Sequence, residues 1–159
     1  MPARNPLDIR RQVVRVETDY VVEQVSFASL EGCPVTAGLY RPRNQTSRGP
    51  GLLHAHGHWK GGRLGLADEA AIEQALAGDA ERHRSGAAAP LQASCVTLAR
   101  MGAVVLLVDL VGFGQYLVGD HATSLKTDEA LREGVTLMSL QVWNCIRALD
   151  VLESLDEVD

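Results

Sequence analysis

The sequence predicts an α/β fold with a parallel crossover, and three observations carry that expectation. Ala103-Val104-Val105-Leu106-Leu107-Val108 is continuously apolar, as strands covered on both faces by helices are. Leu91 to Met101 precedes it and places Leu91, Cys95, Leu98 and Ala99 on one helical face, with Gly102 where a helix C-terminus favours glycine. Before that, Gly51 to His56 reads as a short buried strand. Strand, helix and strand in succession form a βαβ unit, so parallel pairing is expected.

The N-terminal elements follow from local composition. Val13 to Ser29 is rich in β-branched residues, and Val22, Val25 and Phe27 indicate at least one strand. Leu30-Glu31-Gly32-Cys33-Pro34 reads as a turn, and Val35 to Tyr40 as its hairpin partner. Arg41 to Pro50 is a surface loop by its Pro, Asn, Ser and Gly content.

Three further stretches complete the organisation. Asp68 to Arg84 is rich in Ala, Glu, Gln and Leu, which favours a helix, ended by Ser85-Gly86 and the run Ala87 to Pro90. Its apolar positions are mostly alanine, so residues 63–90 read as a helical insertion or lid within one domain spanning 1–159. Asp109 to Thr127 is a long loop holding Gly112, Gly114 and Gly119. Leu131 to Leu155 is a long amphipathic helix, with Met138, Val142, Cys145, Leu149 and Leu152 as its expected buried stripe. Ser154 to Asp159 reads as a polar turn.

Composition narrows the function classes. The chain has 159 residues, 46% hydrophobic and 22% charged, enough to build a core. A net charge of −5 with interspersed signs argues against nucleic acid or an acidic membrane surface as partner. No apolar stretch follows the basic residues of MPARNPLDIRRQ, so a secretory signal is not expected. Cys33, Cys95 and Cys145 are far apart and form no CxxC or zinc-ribbon spacing. Free thiols in the cytoplasm are the expectation, and no cofactor is implied.

With these elements placed, four ordered blocks resemble the α/β-hydrolase superfamily, and within it the acetyl xylan esterase and dienelactone hydrolase-like esterases. The blocks are VTAGLYRP from Val35 to Pro42, LLHAHGHWKGG, ARMGAVVLLVDLVGFG and LMSLQVWNCIRALDVLESLDEVD. The resemblance runs from about Val21 onward, interrupted around 63–90, and implies the N-terminal half of that fold. It implies that His56-Gly57-His58-Trp59 is the HG-x loop of the oxyanion hole. The backbone N–H of His58 would be the donor, with Gly57 allowing close approach and Trp59 walling the acyl pocket. Asp109 begins the family's D-x-x-G-x-G pattern, continued by Gly112 and Gly114, and is implied to be structural. The substrate class implied is a small-molecule carboxylic ester.

The pattern then breaks. G-x-S-x-G, the nucleophile elbow of the fold, occurs nowhere in the chain. Ser94, Ser124 and Ser139 do not sit in a strand–turn–helix elbow, so no catalytic nucleophile is assigned. The acid and histidine of the triad follow the nucleophile in the family and are expected to be missing too. The resemblance implies a strand order of 1-2-4-3-5, which would leave the strand at Leu52 to His56 on an open edge. An apolar edge is a template for pairing, so a homo-oligomer or a complementary chain is expected.

A metal site is the rival reading. His54, His56 and His58 alternate, so an extended strand would place them on one face, with Gly61-Gly62 following and His121 as a further candidate ligand. The pattern resembles H-x-H-x-D-H-x-G-G of metallo-β-lactamase-like hydrolases, where zinc activates a water. His58 stands where that signature has Asp, and Trp59 where it has His. The structural alternatives are a strand-end histidine at His54 and a loop-orienting one at His56. A third reading is a non-catalytic oligomeric or binding piece. Trp143 is expected in the core, Arg147 and Asp150 on a solvated helix face, and Phe113 and Tyr116 at a cleft wall or in simple packing.

Overall fold

The computed structural model describes residues 2–57, 59, 61–113 and 136–159. Five strands form one sheet: β1 (Arg10–Val16), β2 (Tyr20–Leu30), β3 (Cys33–Pro42), β4 (Gly51–Ala55) and β5 (Val104–Val108), in the order β1-β2-β3-β5-β4. The helices are α1 (Glu69–Ala77), α2 (Arg84–Ala88), α3 (Pro90–Arg100) and α4 (Leu137–Glu153), with a 3₁₀ turn at Gly62–Leu64.

β4 and β5 pair in parallel, as the expected βαβ unit requires, with α3 as the crossover. β1, β2 and β3 form an antiparallel meander, and β3 pairs antiparallel with β5. The stretch expected to hold at least one strand holds two, because the chain turns at residues 17–19 between β1 and β2. From β2 onward the order matches the 1-2-4-3 of the resemblance, with β1 added outside it.

The sheet is covered on both faces, which explains the unbroken apolar run of β5. Val104, Leu106 and Val108 face one core with Val25, Phe27, Leu39 and the α4 residues Ala148, Val151 and Leu152. Val105 and Leu107 face a second core with Tyr40, Cys95 and Ala99. Because successive strand side chains alternate, each layer of helices sees every second residue of β5.

Helix boundaries follow their caps. Asp68 accepts from the Ala71 amide and starts α1, and Pro90 occupies the first turn of α3. Gly102, just past α3, has φ of 100° and turns the chain back into β5. Ser85 to Ala88, expected to end one long helix, instead lie in α2. Arg84 ion-pairs with Glu69 and Glu73 of α1, tying the two short helices together at the surface.

α4 departs most from expectation. Its N-cap is Thr136, which shares a capping box with Ser139, so the described helix starts at Leu137; the expected start at Leu131 lies outside the described residues. Met138, Val142 and Leu149 are exposed at 66%, 50% and 45%, while Trp143, Asn144, Arg147, Ala148, Val151 and Leu152 are buried. The stripe is rotated because two polar residues lie inside it. Arg147, expected in solvent, is buried and donates to Asp150 and to the Asn5 carbonyl. A buried guanidinium is tolerated because these acceptors replace water. Trp143 is a core aromatic, as expected.

β4 forms an edge of the sheet. Beside its start, Gly49 donates to the Glu157 carbonyl and accepts from the Asp159 amide, a parallel bridge that brings residues 157–159 along the edge. Among the described residues no helix is long and apolar enough to cross a membrane.

Candidate functional site

β4 ends at Ala55 and hands the chain to His56 and Gly57. His56 is buried, and its Nδ1 lies 2.7 Å from the Gly57 carbonyl. A carbonyl only accepts, so Nδ1 carries the proton. Nε2 is left as an acceptor and faces the Leu110 amide at a long 3.5 Å. The ring also meets Phe113 edge-on, with centroids 5.5 Å apart, so Phe113 packs against the loop histidine. His56 therefore orients loop backbone, with both ring nitrogens committed.

The Gly57 carbonyl has a second donor, the Trp59 amide at 2.9 Å, and the Trp59 carbonyl accepts from Gly62 at 2.8 Å. These bonds fold the stretch into successive tight turns. Gly57 is exposed, its φ is outside the left-handed range, and a Cβ there would meet nothing within 4 Å. Among the described residues the space above it is open.

Arg63 follows immediately. Its Nε donates to Asp109 Oδ2 at 2.9 Å, and Thr36 Oγ1 donates to the same oxygen at 2.6 Å. Asp109 and Arg63 are both buried. Asp109 thus ties the stretch after β4 to β3 through a buried ion pair with Arg63 and a bond from Thr36. Arg63 was missed at the sequence level, where it fell inside the alanine-rich insertion. Its signal was local: a lone charge in Gly61-Gly62-Arg63-Leu64-Gly65, opposite an acid at the end of an apolar strand.

His54 is part-buried on β4, with Nδ1 3.3 Å from Cys95 Sγ on α3. Burial lowers its pKa, and neighbouring His56 lowers it further. Burial also pushes the Cys95 thiol up to about 12, which makes it a poor nucleophile. Ser94 and Ser139 have local backbone roles: Ser94 donates to the Leu91 carbonyl, and Ser139 completes the α4 cap.

Trp59 lines a cavity of about 570 Å³ with Ala71 and Ala75 of α1, Ala87 of α2, and Ala93 and Thr97 of α3. Small side chains on all three helices leave the space unfilled. Of the residues singled out from the sequence, His54, His56, Gly57 and Trp59 cluster at this end of β4. His58, Gly114, Tyr116, Gly119, His121 and Ser124 lie outside the described residues. Among the described residues no group of three or more His, Cys, Asp or Glu could hold a metal ion.

No family model matches the chain, and no curated protein matches it. Solved structures do. An acetyl xylan esterase from Paenibacillus sp. R4 aligns with 98% of this chain and 44% of its own, at 21% identity and a TM-score of 0.61. Acetyl Xylan Esterase 1 from Thermoanaerobacterium sp. JW/SL YS485 aligns with 98% and 43%, at 15% identity and a TM-score of 0.57. The chain has the partial α/β-hydrolase fold of these esterases. A glucuronoyl esterase from Solibacter usitatus shares it as well, at 18% identity and a TM-score of 0.53 over 100% of this chain and 45% of that one. The chain spans less than half the length of each esterase. In this fold His56 and Gly57 lie at the end of the parallel edge strand β4.

Proposed function

We propose that this chain carries the oxyanion portion of a carboxylic ester hydrolase of the serine-esterase type, acting on a small-molecule ester. The observation that carries the reading is the double anchoring of the Gly57 carbonyl by His56 Nδ1 and the Trp59 amide, beneath open space. In a trans peptide the N–H points opposite the carbonyl. By resemblance the donor would be the backbone N–H of His58, next along the chain from this carbonyl and outside the described residues. A preorganised donor of this kind stabilises the tetrahedral intermediate of acyl transfer by about 3–4 kcal/mol. Trp59 walls the acyl side, and residues 63–90 act as a lid over it.

Serine attack, with histidine as base and a carboxylate orienting it, requires groups outside these 159 residues. Oxyanion donors alone accelerate hydrolysis only weakly, so the chain by itself is inactive in this reading. The β4 edge is where a second copy or a complementary chain would pair. Three unbonded cysteines fit a reducing cytoplasm.

The test is turnover of a short-chain nitrophenyl ester by the full-length gene product. Activity that survives a chelator and is abolished by a serine-directed phosphonate is expected. Loss with chelator would replace this reading by the metal one. A folded, oligomeric product with no turnover would leave a binding piece.

A further inference from the structure

We propose that His56 and Arg63 form a two-point clamp that fixes the turn between them to the segment following β5, making both of them positioning residues. The consequence for rate rests on the esterase reading, but the clamp itself does not.

The described bonds of the turn itself are short-range, Trp59 amide to Gly57 carbonyl and Gly62 amide to Trp59 carbonyl, with Gln92 Nε2 of α3 donating to the Arg63 carbonyl. The turn leaves a five-residue strand on the sheet edge, and it contains Gly57, Gly61 and Gly62. Such segments open locally at low cost unless side chains tie them down. Two buried side chains do so, one from each end of the turn. His56 reaches the Leu110 amide through Nε2, while its Nδ1 holds the Gly57 carbonyl. Arg63 reaches Asp109. The two anchors therefore land on consecutive residues of another segment, 46 and 54 positions away in the chain.

The landing point is itself tied to the sheet. The Asp109 amide donates to the Thr36 carbonyl at 2.9 Å, and Thr36 Oγ1 donates back to its carboxylate. Thr36 lies in β3, inside the sheet. The turn is thus referenced to the middle of the sheet and not to its own edge strand. Lifting it would separate a buried ion pair and unseat a buried histidine together, and a buried charge left without its partner is costly. Preorganisation of a donor needs this kind of support, since a displacement of about 1 Å far from the chemistry can cost about 100-fold in rate.

Hydrogen exchange followed by mass spectrometry on the full-length protein tests the clamp without turnover. Arg63→Met is expected to speed exchange about tenfold or more in peptides covering both 56–65 and 107–113. Peptides from β2 and α4 should not change. Asp109→Asn, near-isosteric, should produce the same paired effect from the other side if Arg63→Met fails to fold. His56→Asn, which keeps a donor for Gly57 but removes the Nε2 arm, should free 107–113 as well. Faster exchange confined to 61–65, or no change in 107–113, would overturn the clamp.

Kinetics of the same variants then test positioning. kcat should fall about 100-fold, with KM changed by less than about twofold, and Arg63→Lys should recover part of the loss. Unchanged kcat despite loosened peptides would overturn the positioning role. Paired exchange in a protein without any esterase turnover would sink the esterase reading and leave the clamp standing.

Discussion

Trp143 on α4 donates its indole N–H to the carbonyl of Ser29, 2.9 Å away and 114 residues earlier in the chain. The bond has a specific reason. Ala28 pairs with Pro34 and Leu30 with Cys33, so Ser29 is the extra residue of a β-bulge and falls out of the β2–β3 ladder. Ser29 is fully buried, and Trp143 supplies a donor that the ladder does not. Trp143→Phe, which keeps most of the apolar area, should lower stability by about 1–3 kcal/mol by leaving a buried acceptor unpaired. Trp143→Ala should cost about 3–5 kcal/mol. Urea unfolding measures both, and a Phe variant as stable as the parent would show that the bond contributes nothing.

Glu23 is buried in the sheet between two guanidiniums, Arg11 Nε at 2.7 Å and Arg41 Nε at 2.6 Å. Burial acts against its charge, but the bonds from Arg11 and Arg41 outweigh it and hold the pKa below the ordinary 4.5. A depressed carboxylate stabilises the fold above its unfolded pKa, and that contribution is lost as pH falls through the folded value. Glu23→Gln should therefore be about 1–3 kcal/mol less stable at neutral pH. Its stability should also decline less steeply below pH 4.5 than that of the parent. Parallel acid-unfolding curves for the two proteins would rule this out.

His54 has the opposite chemistry and the same sign of pH dependence. Its pKa is lowered below 6.5, first by burial and then by His56. The unfolded chain takes up the proton more readily, so stability is full above pH 6.5 and declines as pH falls toward the folded value. His54→Gln should flatten the stability–pH curve in that window. Thermal melts between neutral and mildly acidic pH decide it, and an unchanged slope counts against the assignment.

Gly57→Ala separates fold from chemistry. With ordinary φ and no neighbour within 4 Å of the added Cβ, the variant should melt within about 1 kcal/mol of the parent. Under the proposed esterase reading the methyl would stand in the space that the oxyanion must reach, and kcat should fall about 100-fold. Undiminished turnover would move the oxyanion donor elsewhere.

Among the described residues no named strand pairs with the outer side of β4, which predicts association. Leu52 is exposed on that strand, and its outer backbone groups are a template for another strand. Sedimentation of this chain should show dimers or larger species, and Leu52→Lys should shift them toward monomer. A stable monomer at all concentrations would argue against pairing at this edge.

The α/β layering was legible in the sequence because it depends on periodicity. An unbroken apolar run, as at Ala103 to Val108, is produced by burial on both faces. The break of β4 into a glycine-containing loop at Gly57 was legible as well. The buried face of α4 was not. A hydrophobic count turns the helix toward Met138, Val142 and Leu149, yet Trp143, Asn144 and Arg147 are the residues buried. Local pattern cannot report that an acceptor from Asn5, 142 residues away, makes a buried Arg147 tolerable.

The sequence by itself therefore determined the order of elements, the parallel crossover and the place of the turn at His56 to Trp59. Only the tertiary structure decided what holds that turn. The partners of His56 and Arg63 are chosen by which strand ends the sheet brings side by side, and β5 lies next to β4 although 48 residues separate them. Hydrogen bonds between distant segments leave no periodic trace in a chain, so a lone Arg63 becomes meaningful only when Asp109 is seen beside it.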